Sequence, residues 1–124
     1  MTRINLVDPA TLHTKHLVAE YRELPRVFGL AMAAEEKGLA PWMIGIPQHY
    51  VLGTGHVKFF YNKLGWLTTR FHRLVFECQA RGFNIQHKSI PLGPLRNEWW
   101  NDWTPRPEDI ALSAARIQER LPRV

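Results

Sequence analysis

Apolar residues recur every three or four positions between residues 57 and 78: Val57, Phe60, Leu64, Leu67, Phe71, Val75 and Cys78. That spacing puts them on one side of a helix. Gly82, in "QARGFNI", is its stop signal, and Gly65 weakens it slightly. A second amphipathic stretch begins at "DPATL", with Asp8 as N-cap and Pro9 at the first helical position. Leu12, Ala19, Leu24, Val27 and Phe28 fall near one face, and Gly38 closes it. Pro25 lies inside this stretch and leaves the Tyr21 carbonyl without its usual donor, which predicts a kink. A third helix is predicted from "TPRPED", with Thr104 as N-cap, Pro105 after it and acids in the first turn. Its apolar face is Ile110, Ala114, Ile117 and Leu121, while Arg116, Arg120 and Arg123 recur on the other side.

The stretches "PWMIGIPQHYVLGTGH" and "NIQHKSIPLGPLRNEWWNDWTP" keep no period and read as long ordered loops. No pair of strands is apparent. The expected fold is mainly α: three helices with long ordered loops, forming one compact domain over residues 1–124. Apolar residues make up 45% and charged residues 22%, an ordinary globular balance. Sixteen Lys and Arg against eleven Asp and Glu give a net charge of +5, which points towards a polyanionic partner. Cys78 is the only cysteine, so no disulfide or thiolate pair can form within the chain, and its place on the apolar stripe predicts a buried thiol. No stretch reads as a membrane span or a signal peptide, which fits a reducing, cytoplasmic setting and a monomer.

Candidate chemistry narrows quickly. His13 and His16 are three apart, a ligand-like spacing, but no carboxylate–histidine motif or thiolate pair completes a set, so no metal or cofactor is expected. "GTGH" is too short for a phosphate loop and reads as a tight turn into the second helix. Trp99, Trp100 and Trp103 cluster in one loop; most of that cluster is expected to seal the core, leaving one ring for a ligand surface. Trp42 and Trp66 are expected in the core. In "AEYRELPRVFG", Glu23 stands among Arg22 and Arg26, and His16, seven residues before Glu23, shares its face of the helix. The simplest account is an intrahelical ion-pair ladder worth about 0.3 kcal/mol per pair.

The first residues, "MTRINL", add a second account. Thr2 is small, so Met1 can be removed and Thr2 can carry a free α-amine. Such an amine has a pKa of roughly 7.7–8.0, against about 10.4 for lysine, and the cations Arg3, Arg22 and Arg26 nearby lower it further. A neutral amine can attack an electrophilic sugar carbon and form a Schiff base.

"MTRINL", "HLVAEYRELPRVFG", "VLGTGHVKFFYNKL" and "ECQARGFNI" closely resemble the phage T4-type pyrimidine dimer DNA glycosylases, the endonuclease V family, from Met1 to about Leu121. The resemblance implies a compact helical enzyme that excises ultraviolet-induced cyclobutane pyrimidine dimers from duplex DNA and then cleaves the abasic site. It implies Thr2 as the nucleophile and Glu23 as the catalytic carboxylate. It implies Arg3, Arg22 and Arg26 as phosphate contacts, His16 as a positioning or proton-transfer residue, and Arg116 and Arg120 as contacts to the DNA backbone. The family's aromatic, basic C-terminal tail has no counterpart before "RLPRV", so the Trp99–Trp100–Trp103 cluster is a candidate for its contacts. "LAMAAEEKG" is more apolar and acidic than in relatives and suggests a thinner DNA footprint. The competing readings are a glycosylase for other damaged bases, a lyase for abasic sites alone, a DNA-binding module without chemistry, and a protein-interaction domain. Glu23 argues against the binding module, because a carboxylate facing phosphates weakens binding unless it catalyses.

Overall fold

The fold comes from a computed structural model that describes residues 2–90 and 95–121; Met1, Arg123 and residues 91–94 of the long loop lie outside them. The described residues form helices α1 (Thr14–Glu23), α2 (Pro25–Glu36), α3 (His56–Phe59), α4 (Leu64–Ala80) and α5 (Pro107–Glu119), joined by loops with short 3-10 turns. There is no strand among them; one isolated antiparallel bridge pairs Lys63 with Trp100. The mainly α expectation holds, but two of the three predicted helices are divided.

The first division is at Pro25. Leu24 keeps helical angles (φ −55°, ψ −42°) and its N–H still donates to the Glu20 carbonyl at 2.9 Å. Pro25 has no N–H to return to Tyr21, so the hydrogen-bond ladder stops and α2 starts afresh with proline at its first position. The predicted kink is therefore a break between two helices. Asp8 does cap, but what it caps is the one-turn Pro9–Thr11 segment, through Ala10 N–H at 2.9 Å. The N-cap of α1 is His13, whose Nδ1 accepts from Lys15 N–H at 3.0 Å.

The central stretch also divides. Residues 60–63 close three-residue-separated bonds (Phe60 to Val57, Tyr61 to Lys58, Lys63 to Phe60), and α4 begins after them. Both predicted glycine stops hold. Gly38 (φ 79°) and Gly82 (φ 83°) take the left-handed conformation after α2 and α4. Paired bonds accompany each: Leu39 N–H to Ala34 O with Gly38 N–H to Glu35 O, and Phe83 N–H to Cys78 O with Gly82 N–H to Gln79 O. Gly65 has a packing reason to be glycine: a Cβ there would lie 3.1 Å from the Asn101 carbonyl, so its absence lets the 100–101 backbone approach α4.

α5 starts two residues later than Thr104 predicts. Arg106 is the N-cap, Pro107 the first helical residue, and Asp109 accepts from the Arg106 N–H at 3.0 Å and from its guanidinium at 2.9 Å. Its buried stripe is also shifted. Asp109, Ser113 and Arg116 face inward, Ile110 and Leu121 are exposed, and Ala114 and Ile117 are partly buried. Ser113 turns inward to accept from the Leu6 N–H at 3.0 Å, and Asp109 to close the helix start on Arg106.

The core gathers Leu17, Leu24, Phe28, Leu67, Phe71 and the predicted buried thiol Cys78. Trp99 is fully buried, and Trp66, Trp100 and Trp103 pack against the same core. Thus Trp99 is sealed in the core as expected, while Trp100 and Trp103 pack against it and stay partly exposed. Trp42, expected inside, is exposed instead; it sits on a one-turn helix (Pro41–Met43) whose proline takes the buried place.

At the centre, α1 is tied to α4 by a buried ion pair. Arg70 Nε and Nη2 donate to Glu20 Oε2 and Oε1 at 2.8 and 2.9 Å. Asn5 Nδ2 donates to Glu20 Oε1 at 2.9 Å, and Arg70 also donates to the Val7 carbonyl. With both Glu20 oxygens and all three Arg70 nitrogens hydrogen-bonded, the pair is tolerated where an unpaired charge is not. Glu20→Gln leaves the Arg70 charge buried without its counter-charge. We expect it to destabilise the protein by about 3–5 kcal/mol, read as a drop in the urea midpoint at unchanged slope.

Candidate active site at the N-terminal strap

Residues 2–7 have no regular secondary structure, yet Thr2, Ile4, Asn5 and Leu6 are buried. Backbone groups removed from water need partners, and here side chains supply them. Ile4 N–H donates to His56 Nε2 at 2.9 Å, and Tyr50 O–H donates to the Ile4 carbonyl at 3.2 Å. Leu6 N–H donates to Ser113 Oγ on α5 at 3.0 Å. Together with Asn5–Glu20 and Arg70–Val7, these bonds strap the segment across α1, α4, α5 and the loop before α3. The strap delivers Thr2 to the end of α1, where its Oγ1 donates to Glu23 Oε2 at 3.3 Å.

His56 is central to the strap and comes from the "GTGH" turn. Gly53 (φ 70°) and Gly55 (φ 89°) reverse the chain, as predicted, and His56 N–H closes the turn on the Gly53 carbonyl at 3.0 Å. The turn aims the imidazole inward. Its Nδ1–H donates to the Val51 carbonyl at 2.8 Å, which leaves the Nε2 lone pair for Ile4. Burial above all pushes the imidazole down from 6.5 to about 4; the Val51 bond opposes the shift, and the Arg116 and Arg3 charges add to it. The unfolded chain takes up this proton below about pH 6.5, whereas the folded chain holds off until about 4. Stability is therefore full above pH 6.5 and is lost as pH falls towards 4. Between pH 7 and 5 we expect urea unfolding to show a loss of about 2 kcal/mol, absent in His56→Gln. Glu35 and Asp109, whose carboxyls Arg96 and Arg106 hold below their ordinary values of 4.5 and 3.8, add little in that window, because the stability they contribute is lost only as pH falls below those ordinary values.

Beside Glu23 lies a cleft of about 330 Å³ lined by Arg3, Asn5, Lys15, His16, Ala19, Glu20, Glu23, Arg116, Ile117 and Arg120. The helical spacing of residues 16, 19, 20 and 23 puts them on one wall of it, as the seven-residue interval predicts. Next to it is a more open groove of about 1050 Å³, bordered by Thr2, Arg26, Leu30, Pro47, Val57, Lys58 and Tyr61 among others. Glu23 links the two hollows: its Oε2 also accepts from Arg26 Nη1 at 2.8 Å. The ion pair expected from sequence is thus present. Arg22 is exposed and lines neither hollow.

Arg116 stands out in the cleft. It is 8% exposed, and its Nε and Nη2 have no hydrogen-bond partner among the described residues. Burial first, then the charges of Arg3 and Arg120, press its pKa down, although a guanidinium keeps its proton. A buried cation with free donors is costly unless an anion arrives. The other predicted basic residues, Arg3 and Arg120, line the same cleft, and His16 Nε2 bonds to the Arg120 carbonyl at 3.0 Å.

Of the residues singled out from sequence, Thr2, Arg3, His16, Glu23, Arg26, Arg116 and Arg120 come together here; Arg22 stays outside. Sequence reasoning missed His56, Glu20, Arg70, Tyr50 and Ser113, which build the strap. The available signal was the histidine directly after a two-glycine turn, and Asn5 within "MTRINL". No group of three or more His, Cys, Asp or Glu that could hold a metal occurs among the described residues, and no helix there is long and apolar enough to cross a membrane.

Residues 1–91, well over half of the chain, match the sequence profile of a family described as pyrimidine dimer DNA glycosylase. The matched segment carries the strap from Thr2 to Val7, Glu23, Arg26, the His56 turn and α4. The chain therefore belongs to the pyrimidine dimer DNA glycosylase family, whose work is the repair of DNA by excision of pyrimidine dimers.

Proposed function

We propose that the chain, acting as one unit over residues 1–124, both excises the base and cuts the strand, through a Schiff base formed by the α-amine of Thr2 once Met1 is removed. The observation that carries this reading is the contact of Thr2 with Glu23, twenty-one residues away in the chain, at 3.3 Å. The backbone nitrogen of Thr2 sits on the carbon next to the one bearing Oγ1, so the contact brings amine and carboxylate to one spot.

The chemistry follows from those two groups. The amine forms a bond to C1′ as the glycosidic bond to the 5′ pyrimidine of the dimer breaks. The Glu23 carboxylate stabilises the positive charge that develops on the sugar. The sugar ring opens, its oxygen takes up a proton, and a protonated imine remains. Glu23 then removes a proton from C2′; the imine accepts the electron pair, and the C3′–O bond breaks to release the phosphate-bearing strand. Water hydrolyses the imine and frees the amine. The unpaired Arg116 guanidinium, with Arg3 and Arg120, supplies charge-assisted bonds for backbone phosphates, and Arg26 offers a further contact beside the carboxylate. Arg22 is exposed on the α1 surface and is available to a phosphate outside the two hollows. His16 orients the wall of the cleft through its bond to the α5 C-terminus.

The test is incubation with borohydride and three duplexes: one with a defined cyclobutane dimer, one with an abasic site, one undamaged. A covalent protein–DNA adduct with the first two is expected. Adduct only with the abasic duplex favours an abasic-site lyase, and adduct with neither overturns imine chemistry.

A further inference from the structure

We propose that the Trp42–Met43 turn is a wedge that tests for the lesion, its indole stacking on a base of the duplex where the dimer loosens the helix. This rests on the dimer chemistry proposed for Thr2 and Glu23 and deepens it by naming a specificity residue. Trp42 and Met43 are 68% and 57% exposed, side by side. Their exposure is not a matter of slack chain. Ala40 and Pro41, which lead into the turn, are both buried. Met43 N–H donates to the Ala40 carbonyl at 2.9 Å, so the turn is anchored from below and holds the indole out. The other four tryptophans lie in or against the core, which leaves Trp42 as the one indole free to stack.

Its position fits the duplex as occupant. Trp42 lines a hollow that shares Gly45 and Pro47 with the groove bordered by Thr2 and Arg26. Arg26 and Lys58 on the groove and Lys63 in the hollow give these walls a positive balance, even against Glu98 and the Glu23 carboxylate paired with Arg26. That suits a polyanion, and DNA is what the family acts on. A nucleotide must leave the stack before the amine can reach C1′, and apolar side chains inserted at a base step hold such an opening. Aromatic stacking on a base is tolerant of sequence, as a lesion probe must be.

The proposal is tested with Trp42→Ala and Trp42→Phe, each checked for an unchanged thermal midpoint. On a dimer duplex carrying 2-aminopurine next to the lesion, we expect Trp42→Ala to lose about tenfold or more in kcat/KM and to lose the fluorescence rise that reports unstacking. Trp42→Phe should retain most of both. The loss should be larger on the dimer duplex than on a single-stranded abasic oligonucleotide, which has no stack to open. Excision and fluorescence at wild-type levels in Trp42→Ala overturn the proposal and leave the turn for a protein partner. If the wild type itself neither excises nor forms the borohydride adduct, the Schiff-base reading fails; the fluorescence rise on binding, compared between wild type and Trp42→Ala, still decides the wedge.

Discussion

Glu23→Gln is expected to lower dimer excision about a thousandfold or more while duplex binding survives. The amide keeps the size of the carboxylate and can still accept from Thr2 Oγ1, so the local shape is retained. What disappears is the negative charge that stabilises the sugar cation and the base that removes the C2′ proton. Loss of proton transfer alone is worth about 10²–10⁴-fold, and loss of a preorganised charge at the reacting centre about 10²–10³-fold. Stability is not the route to this effect. The Glu23–Arg26 pair is open to solvent on the Arg26 side, 66% exposed, and such exposed pairs contribute about 0–1 kcal/mol. Binding should hold or tighten, since a charge that repels phosphates is removed and Arg26 is released towards them. Single-turnover excision of a defined dimer, with affinity by fluorescence anisotropy, checks both halves. A rate within a few-fold of wild type removes Glu23 from the chemistry.

A chain carrying one extra residue that stays in place before Thr2 is expected to form no borohydride adduct and to leave dimer duplex uncut. The extension turns the amine into an amide, whose lone pair is delocalised into the carbonyl and cannot attack C1′. The change is chemical rather than structural. The strap begins its backbone bonds at Ile4, with His56, and continues at Leu6, with Ser113, so the added residue lies ahead of all of them. The thermal midpoint and the pH dependence set by His56 should therefore match the parent. Normal turnover of dimer duplex by the extended chain rules out the amine of Thr2.

The parts of this molecule that were legible in sequence are those governed by local rules. The stripe from Leu64 to Cys78 and the glycine stops at Gly38 and Gly82 follow from spacing and backbone freedom alone, and the structure repeats them. The shared face of His16 and Glu23 on the cleft wall is likewise a matter of helical period. The division at Leu24–Pro25 was visible as a disturbance, but its size depends on how α1 and α2 each pack. The buried stripe of α5 departs from its apolar stripe because hydrophobicity alone does not decide burial there. Ser113 is inside because Leu6 of the N-terminal segment donates to it, and Arg116 lies buried in the cleft wall. His56 and Arg70 act across fifty or more residues of chain, and no periodicity records a partner at that distance. Trp42 shows the converse: its size suggested the core, yet Pro41 fills that place and the ring is turned outward.

The central claim is that one nitrogen, the α-amine of Thr2, is the nucleophile. Two lysines compete for that role by position: Lys15 lines the cleft beside Glu23, and Lys58 borders the groove beside Thr2. The direct measurement is peptide mapping by mass spectrometry of the borohydride-trapped adduct with a dimer duplex. The account predicts the sugar remnant on the N-terminal peptide, attached to the nitrogen of Thr2. A remnant on Lys15 or Lys58, with the N-terminal peptide unmodified, would contradict it.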